Sequence, residues 1–210
     1  MDILLETFTV GPLLENAYLL AHPPSKTAVF VDPGDEAERL ISALETRGLS
    51  LAAIWLSHAH FDHVGAVAAL KERYGAPVFL HPADDVLLEH ASASAAQWGI
   101  PLRQPPRADQ TLEDGQVLTL GGLEAHCLFT PGHAPGHVAF YLPELSTVLA
   151  GDALFQGSIG RTDLPFGDHA QLISSIKTKL LTLPPETKVL PGHGPATTIG
   201  AEARSNPFLG

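Results

Sequence analysis

Ser57-His58-Ala59-His60-Phe61-Asp62-His63 puts four potential metal ligands, His58, His60, Asp62 and His63, into six residues. Four donors so close cannot all reach one ion without strain, but they can be divided between two neighbouring ions. In an extended segment His58 and His60 project to the same side, while Asp62 and His63 fall on the turn into a helix. Desolvated imidazoles and carboxylates cost free energy unless they are paired or metal-bound. A solvated, His-rich loop is the plainer reading of this segment alone, and three further segments weigh against it. Phe129-Thr130-Pro131-Gly132-His133 ends an apolar run in a Pro-Gly turn that presents His133. Leu149-Ala150-Gly151-Asp152 presents a carboxylate in the same way, and Leu190-Pro191-Gly192-His193-Gly194 another imidazole. Glycine in each permits backbone geometries that other residues resist, so a ligand can be aimed from a tight turn. Five histidines and two aspartates, all N or O donors, suit a binuclear site of zinc, iron or manganese.

The elements that must position these groups are short. Strand-like runs are read at 3–10, 16–21, 28–31, 52–57, 77–80, 123–129, 138–142, 147–150 and 188–190. Ala37, Leu40, Ile41 and Leu44 repeat at helical spacing behind Asp35 as N-cap, with Gly48 closing the segment. Leu172, Ile173, Ile176 and Leu180 repeat likewise behind Asp168, in a helix expected over 169–181. Residues 64–74 read as a third helix ended by Gly75, and 86–96 as a weaker fourth. The two halves of the chain read alike, strand–strand–helix–strand followed by a ligand. Two ββαβ halves imply an α/β fold of two sheets packed face to face with helices outside, an αββα sandwich. Ligands at strand ends then converge on one edge, where loops carry function.

Composition bounds the rest. The 210 residues carry 12 Lys+Arg against 23 Asp+Glu, a net charge of −11 with histidine neutral. That balance leaves no electrostatic footprint for nucleic acid or an anionic membrane. Apolar residues at 45% and charged residues at 17% are globular values. Met1-Asp2-Ile3-Leu4-Leu5-Glu6 has no basic leader, and no run approaches the roughly 18–20 apolar residues of a membrane span. Cys127 is the only cysteine, so neither an intrachain disulfide nor a cysteine-based zinc cluster is expected. The expectation is a soluble, cytoplasmic protein acting on a small molecule, with no indication of oligomeric state.

The chain also carries Thr130-Pro131-Gly132-His133-Ala134-Pro135-Gly136-His137, Gly151-Asp152-Ala153-Leu154-Phe155 and Gly160-Arg161-Thr162-Asp163. With the His-x-His-x-Asp-His run, these resemble the metallo-β-lactamase superfamily from about Phe8 to His193, in the family's order. The resemblance is greatest to small bacterial glyoxalase II-like (hydroxyacylglutathione hydrolase-like) proteins. It implies one metallo-β-lactamase-like domain over residues 1–210, with His58, His60 and His133 at one metal and Asp62, His63 and His193 at the other. Asp152 is then the bridge. Two divalent ions follow, zinc foremost, with iron or manganese as alternatives.

The implied activity is hydrolysis of thioesters of the S-lactoylglutathione type by a metal-bound hydroxide, which Asp62 orients. A leaving thiolate of parent pKa about 8.5 departs without a dedicated general acid, which agrees with the lack of a recognisable Ser-His-Asp triad. In β-lactamases of the superfamily a cysteine commonly serves as a zinc ligand. Cys127 lies six residues before His133 on an apparent core strand and reads instead as a small buried apolar residue. Arg161 lies where the family places a cation and is read as a contact for a substrate carboxylate, the alternative being an ion pair with Asp163 or Asp168. The 17 residues after His193 are too few for the helical appendage of glyoxalase II proper, so weak glutathione selectivity is expected. The competing function is an iron-dependent persulfide dioxygenase on the same scaffold, also resembled through Gly160-Arg161-Thr162-Asp163. His22, His81, His90, His126 and His169 match no ligand position. His137, in the Pro-Gly-His turn itself, reads as support for a ligand or as packing in preference to a ligand, and Asp32 as either support or a plain turn residue.

Overall fold

The computed structural model describes residues 2–210. One six-stranded sheet runs in spatial order from β1 (Leu4–Val10) through β2 (Glu15–His22), β3 (Thr27–Val31), β4 (Ser50–Trp55) and β5 (Val78–Leu80) to β6 (Gln110–Thr111). The second sheet contains β7 (Val117–Leu120), β8 (Leu123–Phe129), β9 (Val138–Leu142) and β10 (Thr147–Gly151). A two-stranded ribbon of β11 (Leu154–Phe155) and β12 (Ser158–Ile159) follows, before β13 (Lys188–Pro191) and β14 (Thr197–Thr198) complete the second sheet in the order 14-13-10-9-8-7. Helices α1 (Ala37–Thr46), α2 (Phe61–Val64), α3 (Val67–Tyr74), α4 (Asp85–Glu89) and α5 (Ala91–Gln97) belong to the first half of the chain. Helices α6 (His169–Ser175) and α7 (Ile199–Ser205) belong to the second.

The four layers follow from strands buried on both faces. In β2 every residue but His22 is buried. Tyr18 and Leu20 join Val29, Val31 and Trp55 against Cys127, Phe140, Leu142 and Leu149 of the other sheet. Leu19 and Ala21, on the opposite face, pack with Phe30 against Leu40 and Leu44 of α1 and Leu70 of α3. Ala139, Val148 and Ala150 meet Leu172, Ile176 and Ile199 on the far side. The period of two thus divides each strand between an inter-sheet core and an outer, helix-covered core. The Trp55 and Phe140 rings, 5.7 Å apart, join the sheets at the centre.

The expected halves are present in parallel form. β2 and β3 are antiparallel and β3 and β4 parallel, just as β9 and β10 are antiparallel and β10 and β13 parallel. Asp168 caps α6 as expected, accepting the Gln171 N–H at 2.9 Å. Other details differ. Glu36, in the left-handed region at φ 52°, is the N-cap of α1, and Asp35 instead accepts the Glu36 N–H. The single helix expected over 64–74 is two, because the Ala66 N–H donates to the Pro33 carbonyl at 2.9 Å in place of a helical bond, an approach that Gly65 permits by lacking a Cβ against the Gly34 carbonyl. The segment 86–96 breaks at His90, whose Nδ1 bonds the Val86 carbonyl. The helix expected over 169–181 is α6 followed by a π-turn at Ile176–Leu180.

Cys127 is fully buried in the inter-sheet core, and burial pushes its thiol up to about 12. The native protein is expected to be inert to a thiol reagent at pH 8 and to titrate one thiol after denaturation. Cys127→Ala is expected to retain turnover, with a stability loss of about 1 kcal/mol read from denaturant unfolding.

Candidate metal centre

Every predicted ligand leaves its element at the same edge. His58, His60, Asp62 and His63 follow β4, His133 follows β8, Asp152 follows β10, and His193 follows β13. The carboxyl ends of the parallel strands β3, β4, β10 and β13 point there, the usual place for a site in such sheets. The His58 ring lies 4.1 Å from that of His63, 4.8 Å from His60 and 4.9 Å from His133. His63 and His193 are 5.4 Å apart. Three groups have donor atoms within one ion's reach: Asp32-His58-His63, wholly in the first half, and the two expected triads, His58-His60-His133 and Asp62-His63-His193. Each of the two expected triads draws on both sheets. Asp152 lies between them: Oδ1 is 3.5 Å from His63 Nε2, and Oδ2 is 3.4 Å from His133 Nε2 and 3.7 Å from His193 Nε2.

The partners of each imidazole set which nitrogen faces inward. Ser57 Oγ donates to Asp32 Oδ2 at 2.5 Å and is therefore free to accept from His58 Nδ1 at 3.0 Å. His133 Nδ1 donates to the Arg161 carbonyl at 2.8 Å, His193 Nδ1 to the Leu13 carbonyl at 3.1 Å, and His63 Nδ1 faces Asp32 Oδ2 at 3.3 Å. With Nδ1 carrying the proton, the Nε2 lone pairs of all four rings point into the cluster. His60 presents Nδ1, 2.9 Å from His133 Nε2, and two lone pairs so close need a proton or a cation between them.

These residues fit metal ions. His58 Nε2, His63 Nε2 and Asp152 Oδ1 are buried without a hydrogen-bond partner, and buried polar atoms are rarely left so. Burial pushes His58 and His60 down, towards the neutral form that coordinates. Burial acts to raise Asp152, but His63, His133 and His193 outweigh it and hold the carboxylate well below its usual range. At His63 burial acts to lower the ring, but the neighbouring Asp152 and Asp62 outweigh it and raise it well above its usual value, the mark of a pocket that favours positive charge.

Supporting groups surround the donors; of these, Glu15 and Asp84 were not legible in advance. Asp32, at φ 48°, is buried and accepts both the N–H and the hydroxyl of Ser57, so it is a support and not merely a turn residue. His137 takes the supporting role expected of it: Nδ1 meets Thr130 Oγ1 at 2.8 Å, and Nε2 accepts the Asp152 N–H at 3.0 Å. Gly151 is required beside it, since a Cβ there would strike His137 Nε2 and Ser57 Oγ. Glu15 lies under His63 with both oxygens unpartnered, and burial pushes its carboxyl well above the usual range. Asp84, wholly buried, accepts the N–H of Ala59 at 2.9 Å and of Gly136 at 2.5 Å. It thereby ties the loop of His58 and His60 to the loop of His133. Burial pushes the Asp84 carboxyl up to about 7, against the pull of those two donors. Arg161 pairs through Nε and Nη2 with Asp163, both at 2.8 Å, at the mouth of the site.

Asp152→Ala is expected to lose most bound metal, measured by plasma mass spectrometry, because it removes the carboxylate whose oxygens approach Nε2 of His63, His133 and His193. Asp84→Asn turns an acceptor into a donor facing a backbone N–H. The expected cost is about 1–3 kcal/mol in stability, with metal affinity lower by about ten- to a hundredfold, read by thermal unfolding and chelator competition.

Residues 10–193 match the metallo-beta-lactamase superfamily. The chain is 45% identical to the hydroxyacylglutathione hydrolase GloC of Haemophilus influenzae, over 88% of each chain. It is 43% identical to the probable metallo-hydrolase YqgX of Bacillus subtilis, over 95% of this chain and 94% of the relative. Among solved structures it resembles TTHA1623 in a di-iron-bound form (52% identity, TM-score 0.88, 97% of this chain and 100% of the other). It also resembles the BLEG-1 B3 metallo-beta-lactamase (44%, TM-score 0.91, 98% and 99%) and ETHE1 from Myxococcus xanthus (29%, TM-score 0.80, 97% and 83%). With the fold, the donor set and these likenesses in agreement, the chain belongs to the metallo-beta-lactamase superfamily and is a metallo-hydrolase of that family.

Proposed function

We propose that this protein hydrolyses thioesters, with S-lactoylglutathione-like compounds as the reference substrates. The observation that carries the reading is the pair of donor triads sharing Asp152 on the floor of an open cleft. His58, His60 and His133 would hold one divalent ion, Asp62, His63 and His193 the other, with Asp152 shared. Bound there, two such ions supply Lewis acidity for a carbonyl and a nucleophile drawn from water near neutral pH. Water adds to the acyl carbon, the C–S bond breaks, and a carboxylate, a thiol and one proton result. The likeness to GloC supports this substrate class.

The chain's own groups take defined parts. Asp62 Oδ2 faces the cleft, 3.2 Å from His193 Nε2. Burial would raise its carboxyl, but His63 and His193 outweigh burial and hold it below its usual range, so as a carboxylate it can accept a hydrogen bond from the attacking water and orient it. No cysteine joins the cleft floor, since the only thiol is buried in the inter-sheet core. Arg161 borders the cleft, and its exposed pairing with Asp163 is of the kind worth little in water. The guanidinium is therefore free to exchange Asp163 for a substrate carboxylate.

A second reading, an iron-dependent persulfide dioxygenase, is favoured by the likeness to ETHE1 and by the iron in the TTHA1623 structure. The intact Asp62-His63-His193 triad favours the hydrolase. Protein purified without added metal separates the two. About two ions per chain, with thiol release from S-lactoylglutathione, is the expected result. One iron per chain, with oxygen consumed in the presence of glutathione persulfide, would overturn it.

Arg161→Ala is expected to raise KM for S-lactoylglutathione with kcat little changed, the pattern of lost uniform binding. The loss in kcat/KM should stay within about 1–3 kcal/mol, and a thioester lacking the carboxylates should be insensitive. Equal loss on both would return Arg161 to a structural ion pair.

A further inference from the structure

The donor cluster opens into a cleft of about 830 Å³, within the size range of small-molecule sites. Its walls are far more apolar than catalysis on a small lactoyl group requires. Phe61, on α2, lies 6.3 Å from Trp98, at the end of α5, and together they form one wall. Phe155 on the ribbon and Phe166 in the loop after it contribute to the lining from the second half of the chain.

Two features of the rim stand out. Trp98 and Phe166 are each 57% exposed, large apolar side chains left in water beside a catalytic floor. Phe166 is the third residue of a Leu164-Pro165-Phe166-Gly167 turn, closed by the Gly167 N–H on the Leu164 carbonyl at 2.9 Å, and at φ 69° it holds a left-handed position that favours glycine and strains a bulky residue. Strain of this kind gathers where a ligand is clamped, and exposed apolar area beside a cleft marks a surface that something covers. Charge points the same way. Arg161 is the only lysine or arginine lining the cleft among the described residues, and its guanidinium already carries Asp163. A glutathione thioester brings two carboxylates and finds one shared cation.

We propose that this cleft selects its thioesters by an apolar, ring-sized group covered by Trp98 and Phe166, so that hydrophobic thioesters are better substrates than S-lactoylglutathione. The inference rests on the thioesterase reading for its chemistry, but the apolar subsite has a readout of its own. Trp55, the other tryptophan, is buried in the core, so a change in the polarity around tryptophan reports on Trp98.

The metal-loaded protein is titrated with S-benzyl-N-acetylcysteamine, an uncharged thioether that cannot be hydrolysed. A saturable blue shift of tryptophan emission is expected, with affinity at least about fivefold weaker in Phe166→Ala, or roughly 1 kcal/mol. In parallel, kcat/KM is compared for phenylacetyl and acetyl thioesters of N-acetylcysteamine and for S-lactoylglutathione. The phenylacetyl thioester is expected to exceed each of the others by about tenfold or more, and the phenylacetyl-to-acetyl ratio to fall towards one in Trp98→Ala. No emission change, a ratio of one or less in the wild type, S-lactoylglutathione as the best substrate, or a dimer whose formation blocks the thioether would each overturn the inference. Thioether binding without cleavage of any thioester overturns the thioesterase reading and leaves the apolar subsite standing. Cleavage of all three without preference does the reverse.

Discussion

A buried carboxylate costs several kcal/mol unless something meets it, and the edge where the two sheets converge holds four: Glu15, Asp32, Asp84 and Asp152. Much of the local architecture is the means of meeting them. Asp32 is turned into the left-handed region to take both donors of Ser57, and that hydroxyl in turn orients His58. Asp84 is met by two backbone N–H groups from different loops. Asp152 has imidazoles on several sides and its own N–H anchored on His137. Glu15 alone has no partner, and its raised carboxyl accords with a neutral group packed beneath His63.

The same edge is also where the halves are sewn together. Asn16 donates from its backbone to Gly192 and from its side chain to Pro191 and Gly194, and the Tyr18 hydroxyl donates to Pro191. Val138 donates to the Ser57 carbonyl from the other side. At Gly192 a Cβ would collide with Asp152 Oδ1 and His63, so the strand end that aims His193 can approach only because a side chain is missing. Apolar packing holds the sheets face to face. These polar stitches fix their relative height closely enough for donors from both sheets to meet.

The convergence of the seven candidate donors was legible in the sequence because each follows a short apolar run at a turn, and because four crowd into one loop. The αββα layers were legible for a related reason. Runs such as Tyr18–Ala21 and Val148–Ala150 are apolar at every position, which only a strand covered on both faces requires. What stayed hidden depends on distance in the chain. Asp84 stands in a Pro-Ala-Asp-Asp turn that reads as a helix cap, and its two partners lie 25 and 52 residues away. Asp32 looks like any residue before Pro-Gly until Ser57 is placed beside it. The break at Gly65 has no local signal either, since it arises where the Ala66 N–H turns to the Pro33 carbonyl, far back in the chain. The short strands β6 and β14 are two-residue pairings that carry no periodicity to read.

His58-His60-His133 and Asp62-His63-His193 each take members from both sheets, so those two pockets are complete only once the halves have docked, whereas Asp32-His58-His63 lies within the first half alone. A cation held by either of the shared triads would then act as a latch on the closed arrangement. Anything that binds the docked state alone adds to its free energy, by about 4.1 kcal/mol at a thousandfold excess over Kd. Metal supply would thus govern the lifetime of the protein as well as its turnover. A cell short of the ion would hold a population that opens more often along this edge, exposing Trp55 and Phe140 to proteases and to other chains.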